Sequence, residues 1–282
     1  MKFIKLATSI GLTVGSVLFA ANSAQAASFK SNVTQNNGAK GDVFLNSIEQ
    51  NGKTIFESDF SYVYRADIKS NDEYTGKNTG GASTDKGDNV DKDGIKRREK
   101  LQDNDGDEQN VVDFLGNNNL NKIIDTEDTG NFAMDLFFDS DIRANDQGLD
   151  SLFFWERNMN SDLEIFALNN DGNILGDVFK LERKVSKKNP AGFSIDTLEI
   201  GSAQAVGSWG VSFADLGLGD NEILSGIKVI SKEGFNGPDF KVIARKSSGP
   251  DFVQAAKVPE PGSIIGLSSV AALAFIRRRK SK

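Results

Sequence analysis

The sequence predicts an all-β protein whose body is a β-sandwich or jelly-roll-like domain. Three observations carry this reading. Short runs rich in β-branched and aromatic residues recur along the middle of the chain. Turn-forming residues separate many of them, and no run holds three turns of helical periodicity. Phe is abundant, at 20 of 282 residues, so a core is available although only 38% of the chain is hydrophobic. No internal repeat is evident, which argues against a propeller or solenoid.

The elements follow in order. Positions 42–50 and 53–68 read as strands joined by Asn51-Gly52, a two-residue hairpin turn. Phe56, Phe60, Tyr62 and Tyr64 give the second run the aromatics that sheets favour. A polar tract follows, and 111–115 and 120–124 restart structure after it. Further strands are expected at 131–139, 149–157, 162–168, 173–183, 193–200, 209–213, 222–231 and 239–245. Asn170-Asp171-Gly172, Asn189-Pro190 and Asn236-Gly237-Pro238 mark turns between them. In 149–157, Phe153 and Trp155 share one strand face, and Leu152 and Phe154 the other. Both faces are apolar, so this strand should be central, with Glu156 and Arg157 ending it on opposite faces.

The tract at 69–110 has only Tyr74, Ala82, Val90, Ile95 and Leu101 as apolar residues, with eleven acids and eight bases. Such a composition buries too little surface to offset ordering entropy, so it reads as a long, disordered insertion. Its closely spaced acids Asp91, Asp93, Asp103, Asp105 and Asp107, with Gly94 and Gly106, also suit a calcium loop. The EF-hand pattern does not fit. With Gly94 at the sixth position, Lys100 falls where the bidentate Glu belongs; with Gly106 there, Leu101 comes first and Val112 last. Calcium loop and solvated loop both remain open.

Composition removes whole classes of chemistry. The chain has no Cys and no His. Thiol nucleophiles, disulfides, thiolate zinc sites, imidazole ligands and a Ser-His-Asp relay are all excluded. Any metal would need oxygen ligands, which favours calcium or magnesium; no cofactor is the default, with calcium the one to consider. Residues 28–257 carry 26 basic against 39 acidic groups, a net of −13. That balance argues against nucleic acid, since phosphate contacts need cations. Ser225-Gly226-Ile227-Lys228 spells Ser-x-x-Lys, but it lies in an expected strand, where Ser and Lys cannot meet as they do on a helix. Asp215-Leu216-Gly217-Leu218 reads as a turn.

The two ends read as addresses. Lys2 and Lys5, an apolar run and Ala24-Gln25-Ala26 make a signal peptide over 1–26, cleaved after Ala26. The exported domain then spans 27–257, and 258–282 forms the tail. The tail holds Pro259-Glu260-Pro261, an apolar segment at 262–276 and a basic end at 277–282 that includes Arg277, Arg278, Arg279 and Lys280. Fifteen helical residues would span about 22 Å at ~1.5 Å each, short of the ~30 Å hydrocarbon core. The basic cluster should stay on the cytoplasmic side. This suits a segment that pauses in a membrane and is then cut, with a plain C-terminal anchor as the alternative.

Those residues, in that order and paired with a signal peptide, resemble the PEP-CTERM sorting signal. The resemblance implies processing by an exosortase, a membrane cysteine peptidase, and a place at the cell surface, in the envelope or in the extracellular matrix. The stretch 153–166, FFWERNMNSDLEIF, together with the tail resembles exosortase-dependent surface proteins of cyanobacterial type. It implies a surface or extracellular role, with no activity to transfer to these residues.

The expected function is therefore a non-enzymatic exported surface or matrix protein, with exopolysaccharide or another matrix component as partner. A calcium- or carbohydrate-binding adhesion module is the alternative, and a carboxylate glycosidase a further one. In the carbohydrate reading Trp155 would stack on a sugar and Glu156 accept its hydroxyls; otherwise they are a core Trp and a rim charge. Trp209 invites the same two readings.

Overall fold

A computed structural model describes residues 29–72, 81–86, 99–100, 105–145, 148–197 and 202–247. The elements are β1 (Lys30–Gln35), β2 (Val43–Gln50), β3 (Lys53–Phe56), β4 (Phe60–Ser61), β5 (Val63–Asn71), β6 (Ala82–Lys86) and β7 (Glu99–Lys100). Helix α1 (Asp105–Leu115) precedes β8 (Lys122–Thr126), β9 (Phe132–Ile142), β10 (Leu152–Arg157), β11 (Leu163–Leu168) and β12 (Ile174–Leu181). A short helix, α2 (Arg183–Ser186), leads to β13 (Pro190–Ile195), β14 (Gln204–Val211), β15 (Leu224–Ser231) and β16 (Phe240–Arg245).

The fold is all-β and sandwich-like, as expected, with every strand pair antiparallel. A five-stranded sheet has the order β12-β11-β15-β9-β5. The largest sheet has the order β13-β14-β10-β16-β8-β6-β7, with β4 also paired to β16. Between them lies one core, which includes Phe154, Val242, Leu136, Ile165 and Ile227 and is closed by Val111 and Leu115 of α1. A third, three-stranded sheet, β1-β2-β3, covers the far face of the largest sheet. It forms a second core with Phe153, Trp155, Ile243, Leu45 and Ile48.

This third layer explains β10. Trp209 of β14 and Val242 of β16 flank Phe154, so the strand is central. Phe153 and Trp155 face the second core, and Leu152 and Phe154 the first. The pattern is apolar on both faces because sheets lie on both sides.

The hairpin turn forms as expected. Gln50 pairs with Lys53, and Asn51 and Gly52 have φ of 51° and 74°, the left-handed values of a type I′ turn. The run at 53–68 is not one strand, however. A 3-10 turn at Glu57–Asp59 splits it, so that β3, β4 and β5 enter three different sheets. β1 was not expected: its polar residues Ser31, Asn32, Thr34 and Gln35 gave no strand signal.

The tract at 69–110 departs from a plain loop wherever it is described. β5 runs on to Asn71, and β6 pairs with β8 over five residues, Ala82 to Lys86 against Thr126 to Lys122. Ala82, Ser83, Thr84 and Asp85 are buried. Cross-strand pairing supplies what local hydrophobicity does not. The acids Asp105, Asp107 and Glu108 stand in the first turns of α1, where the helix dipole favours negative charge. Val111, Phe114 and Leu115 give that helix its buried side, so an eleven-residue helix exists where none was expected. The Lys241 ammonium is buried and donates to the Phe114 carbonyl and to Asn117 Oδ1, capping the end of the helix. Burial holds that amine well below the usual lysine range, and Lys122 adds to the effect. Among the described residues no helix is long and apolar enough to cross a membrane.

Candidate functional site

Two connectors meet at one end of the sandwich. The first runs from β9 to β10 and the second from β14 to β15, so each crosses between the two larger sheets. Asn145 shapes the first connector: its side chain accepts from the Leu149 N–H at 2.9 Å and donates to the Leu149 carbonyl at 2.6 Å. Asn51 Nδ2, from the hairpin turn, donates to the Gly148 carbonyl at 3.0 Å. In the second connector Asp215 Oδ2 accepts from the Ser212 N–H at 2.8 Å and the Ser212 hydroxyl at 2.7 Å. This closes the turn that the residues around Asp215 were expected to form.

Between the connectors lies a cleft of about 290 Å³. Asp150, Asp215, Asp220, Ser151 and Ser212 are among its lining residues, and no Lys or Arg among the described residues is. Asp150 is buried. Gln50 Nε2 donates to its Oδ2 at 2.5 Å, and its own N–H donates to Gln50 Oε1 at 2.9 Å. This pair ties the end of β2 to the start of β10. Gly210 makes room for the carboxyl, since a Cβ there would lie 1.5 Å from Asp150 Oδ2. Burial pushes the Asp150 carboxyl up to about 7, with the nearby charge of Asp215 adding to it; the Gln50 hydrogen bond and Arg245 oppose the shift. Arg245 Nε donates to the Asp150 carbonyl and its Nη2 to the Arg143 carbonyl, each at 3.3 Å.

The residues singled out from sequence lie elsewhere. Trp155 is 1% exposed, donates from Nε1 to Ser31 Oγ at 2.8 Å and packs edge-on against Phe29. Glu156 is 2% exposed. The carbohydrate reading of this pair is therefore corrected: both side chains are buried, Trp155 beneath the three-stranded sheet, and neither offers a sugar a surface in this fold. Trp209 is buried in the first core. Burial holds the Glu156 carboxyl well above the usual carboxylate range, and Asp239 adds to this, while Ser161, Arg157 and the Met159 backbone favour its charged form.

Arg157 is not a rim charge either. It is 2% exposed and joins β10 to four other segments. Its Nη2 lies 2.7 Å from Asp239 Oδ2 and 2.6 Å from Asp125 Oδ1, and its Nη1 lies 3.5 Å from Asp85 and donates to the Thr197 hydroxyl. Ser225 and Lys228 lie in β15, as expected for a strand.

Of the proposed calcium ligands, Asp91, Asp93 and Asp103 fall outside the described residues. Asp105 and Asp107 belong to α1. No group of three or more acidic side chains among the described residues is arranged to hold a metal ion. Ala24 and Ala26, Pro259-Glu260-Pro261 and Arg277 to Lys280 also fall outside the described residues.

The cleft left no mark in the sequence. Asp150 and Asp215 are far apart in the chain, the first at the start of an expected strand and the second in an expected turn. Family models, curated proteins and solved structures contain no match to this chain.

Proposed function

We propose that the chain is an exported, non-enzymatic surface or matrix protein whose tail is processed by an exosortase. The observation that carries this reading is the order of features at the C-terminal end. Pro259-Glu260-Pro261 is followed by a predominantly apolar segment of fifteen residues and then by Arg277-Arg278-Arg279-Lys280, on a chain that opens with a signal-peptide pattern. The short apolar run suits transit better than permanent residence. The described strands begin at Lys30 and end at Arg245, so cleavage after Ala26 or near Pro259 removes none of them. The partner in this reading is exopolysaccharide or another component of the matrix.

Intact mass of the protein recovered from its native envelope or medium tests the proposal. The expected mass begins at Ala27 and ends near Pro259-Glu260-Pro261. A protein that keeps its full C-terminus would leave a membrane-anchored chain and end the exosortase reading. Changing Pro259, Glu260 and Pro261 together to alanine should retain the unprocessed form in the membrane fraction.

A further inference from the structure

We propose that the cleft between the two connectors binds a divalent cation through oxygen ligands, with calcium as the ion of choice. Four observations converge on it. Asp150 and Asp215 both line the cleft, and no basic side chain does so among the described residues. Ser151 lines it too, is 1% exposed, and its hydroxyl has no hydrogen-bond partner. Asp215 commits Oδ2 to Ser212, while its Oδ1 is buried without a partner. The volume of about 290 Å³ leaves room for an ion with several waters.

The chemistry favours a hard cation. Buried oxygens are normally hydrogen-bonded, so two unpartnered ones beside a second carboxyl call for a positive group. Calcium takes six to eight oxygens in flexible geometry and accepts water for those that the protein does not supply. Magnesium demands a tighter octahedron and keeps its water, so it should bind more weakly here. Arg245 donates to the backbone carbonyls of Asp150 and Arg143, and its charge favours the ionised form of Asp150 without Arg245 being among the described residues that line the cleft.

The consequence is structural. β9 and β15 belong to the five-stranded sheet, and β10 and β14 to the largest one. An ion held by both connectors would fasten the two sheets together at that end. With two carboxylates the affinity should sit in the range of extracellular calcium modules, about 10⁻⁴–10⁻³ M. This site is independent of how the tail is sorted and of the acids in the 69–110 tract.

The test uses the full chain in mild detergent, stripped with chelator and titrated calorimetrically with calcium chloride. One ion per chain should bind, and the midpoint of thermal unfolding should rise at about 10 mM calcium, as mass action requires. Asp215→Asn and Ser151→Ala should each weaken binding, Asp215→Asn by roughly tenfold or more. Circular dichroism verifies that each variant folds, and Ser151→Ala keeps the test open should Asp215→Asn not do so. A joint Asp91→Asn, Asp93→Asn and Asp103→Asn variant should bind as the parent does. No heat and no thermal shift would overturn the proposal. So would binding that survives Asp215→Asn and Ser151→Ala but disappears in the tract variant.

Discussion

Replacing Asp150 by Asn should remove a pH dependence of stability whose size follows from the structure. The carboxyl titrates at about 7 in the fold, against 3.8 for the free group. A folded value above the unfolded one means that the native state holds its proton more tightly. The stabilisation is fully present below about pH 3.8 and is lost as pH rises through 7. Three pKa units at ~1.36 kcal/mol each amount to about 4 kcal/mol across that window. Asn keeps an oxygen for Gln50 Nε2 and fits over Gly210, yet it does not titrate. Urea denaturation of parent and variant in calcium-free buffer, at steps from pH 4 to pH 8, reads the difference directly. The parent should lose about 4 kcal/mol more than the variant between the ends of that range. Parallel curves would refute the reasoning and would mean that Asp150 is solvated, with a cleft that water fills freely.

Three further outcomes are expected. Glu156→Gln should gain on the parent as pH rises above 4.5, because the buried carboxyl has a raised folded pKa while the amide does not titrate; denaturation at pH 4 and pH 8 measures the gap, which should widen at pH 8. Phe153→Ala should cost about 3–5 kcal/mol by the same assay, since the three-stranded sheet buries that ring; a loss within about 0.5 kcal/mol would mean that the face is open to solvent. Arg157→Ala should cost about 3–5 kcal/mol by leaving buried Asp85, Asp125 and Asp239 without its guanidinium, and added salt should not reproduce the loss.

Much of the sheet architecture was legible because strand signals are local. Alternation, Asn-Gly and Asn-Pro punctuation and the apolar run at Leu152–Trp155 located β2, the hairpin turn and the central β10. Both apolar faces of β10 were read, but they do not say what covers the second one. The covering strand β1 is short and largely polar, so its part in burying Phe153 and Trp155 arises only on assembly. β6 was missed for a related reason. Thr84 and Asp85 enter the interior by pairing with Ile124 and Ile123 and not by their own hydrophobicity. Trp155 and Glu156 suggested a sugar site because sequence shows residue type and hides depth. The cleft was invisible because Asp150, Ser151 and Asp215 come from two loops that only the sheet pairing brings together.

The two-faced strand also raises a question of alignment. In a half-buried strand a one-residue slip turns apolar side chains into water and is rejected at once. In β10 the same slip would exchange Phe153 for Phe154 and keep the middle of both cores apolar. Hydrophobicity therefore says little about where this strand stops. Its ends say more. At one end Asp150 fits only over the bare backbone of Gly210 and clasps Gln50; at the other Arg157 finds its carboxylates. The buried charges act as the detents of a sliding bolt: the apolar middle lets the strand move, and the polar ends give it one position.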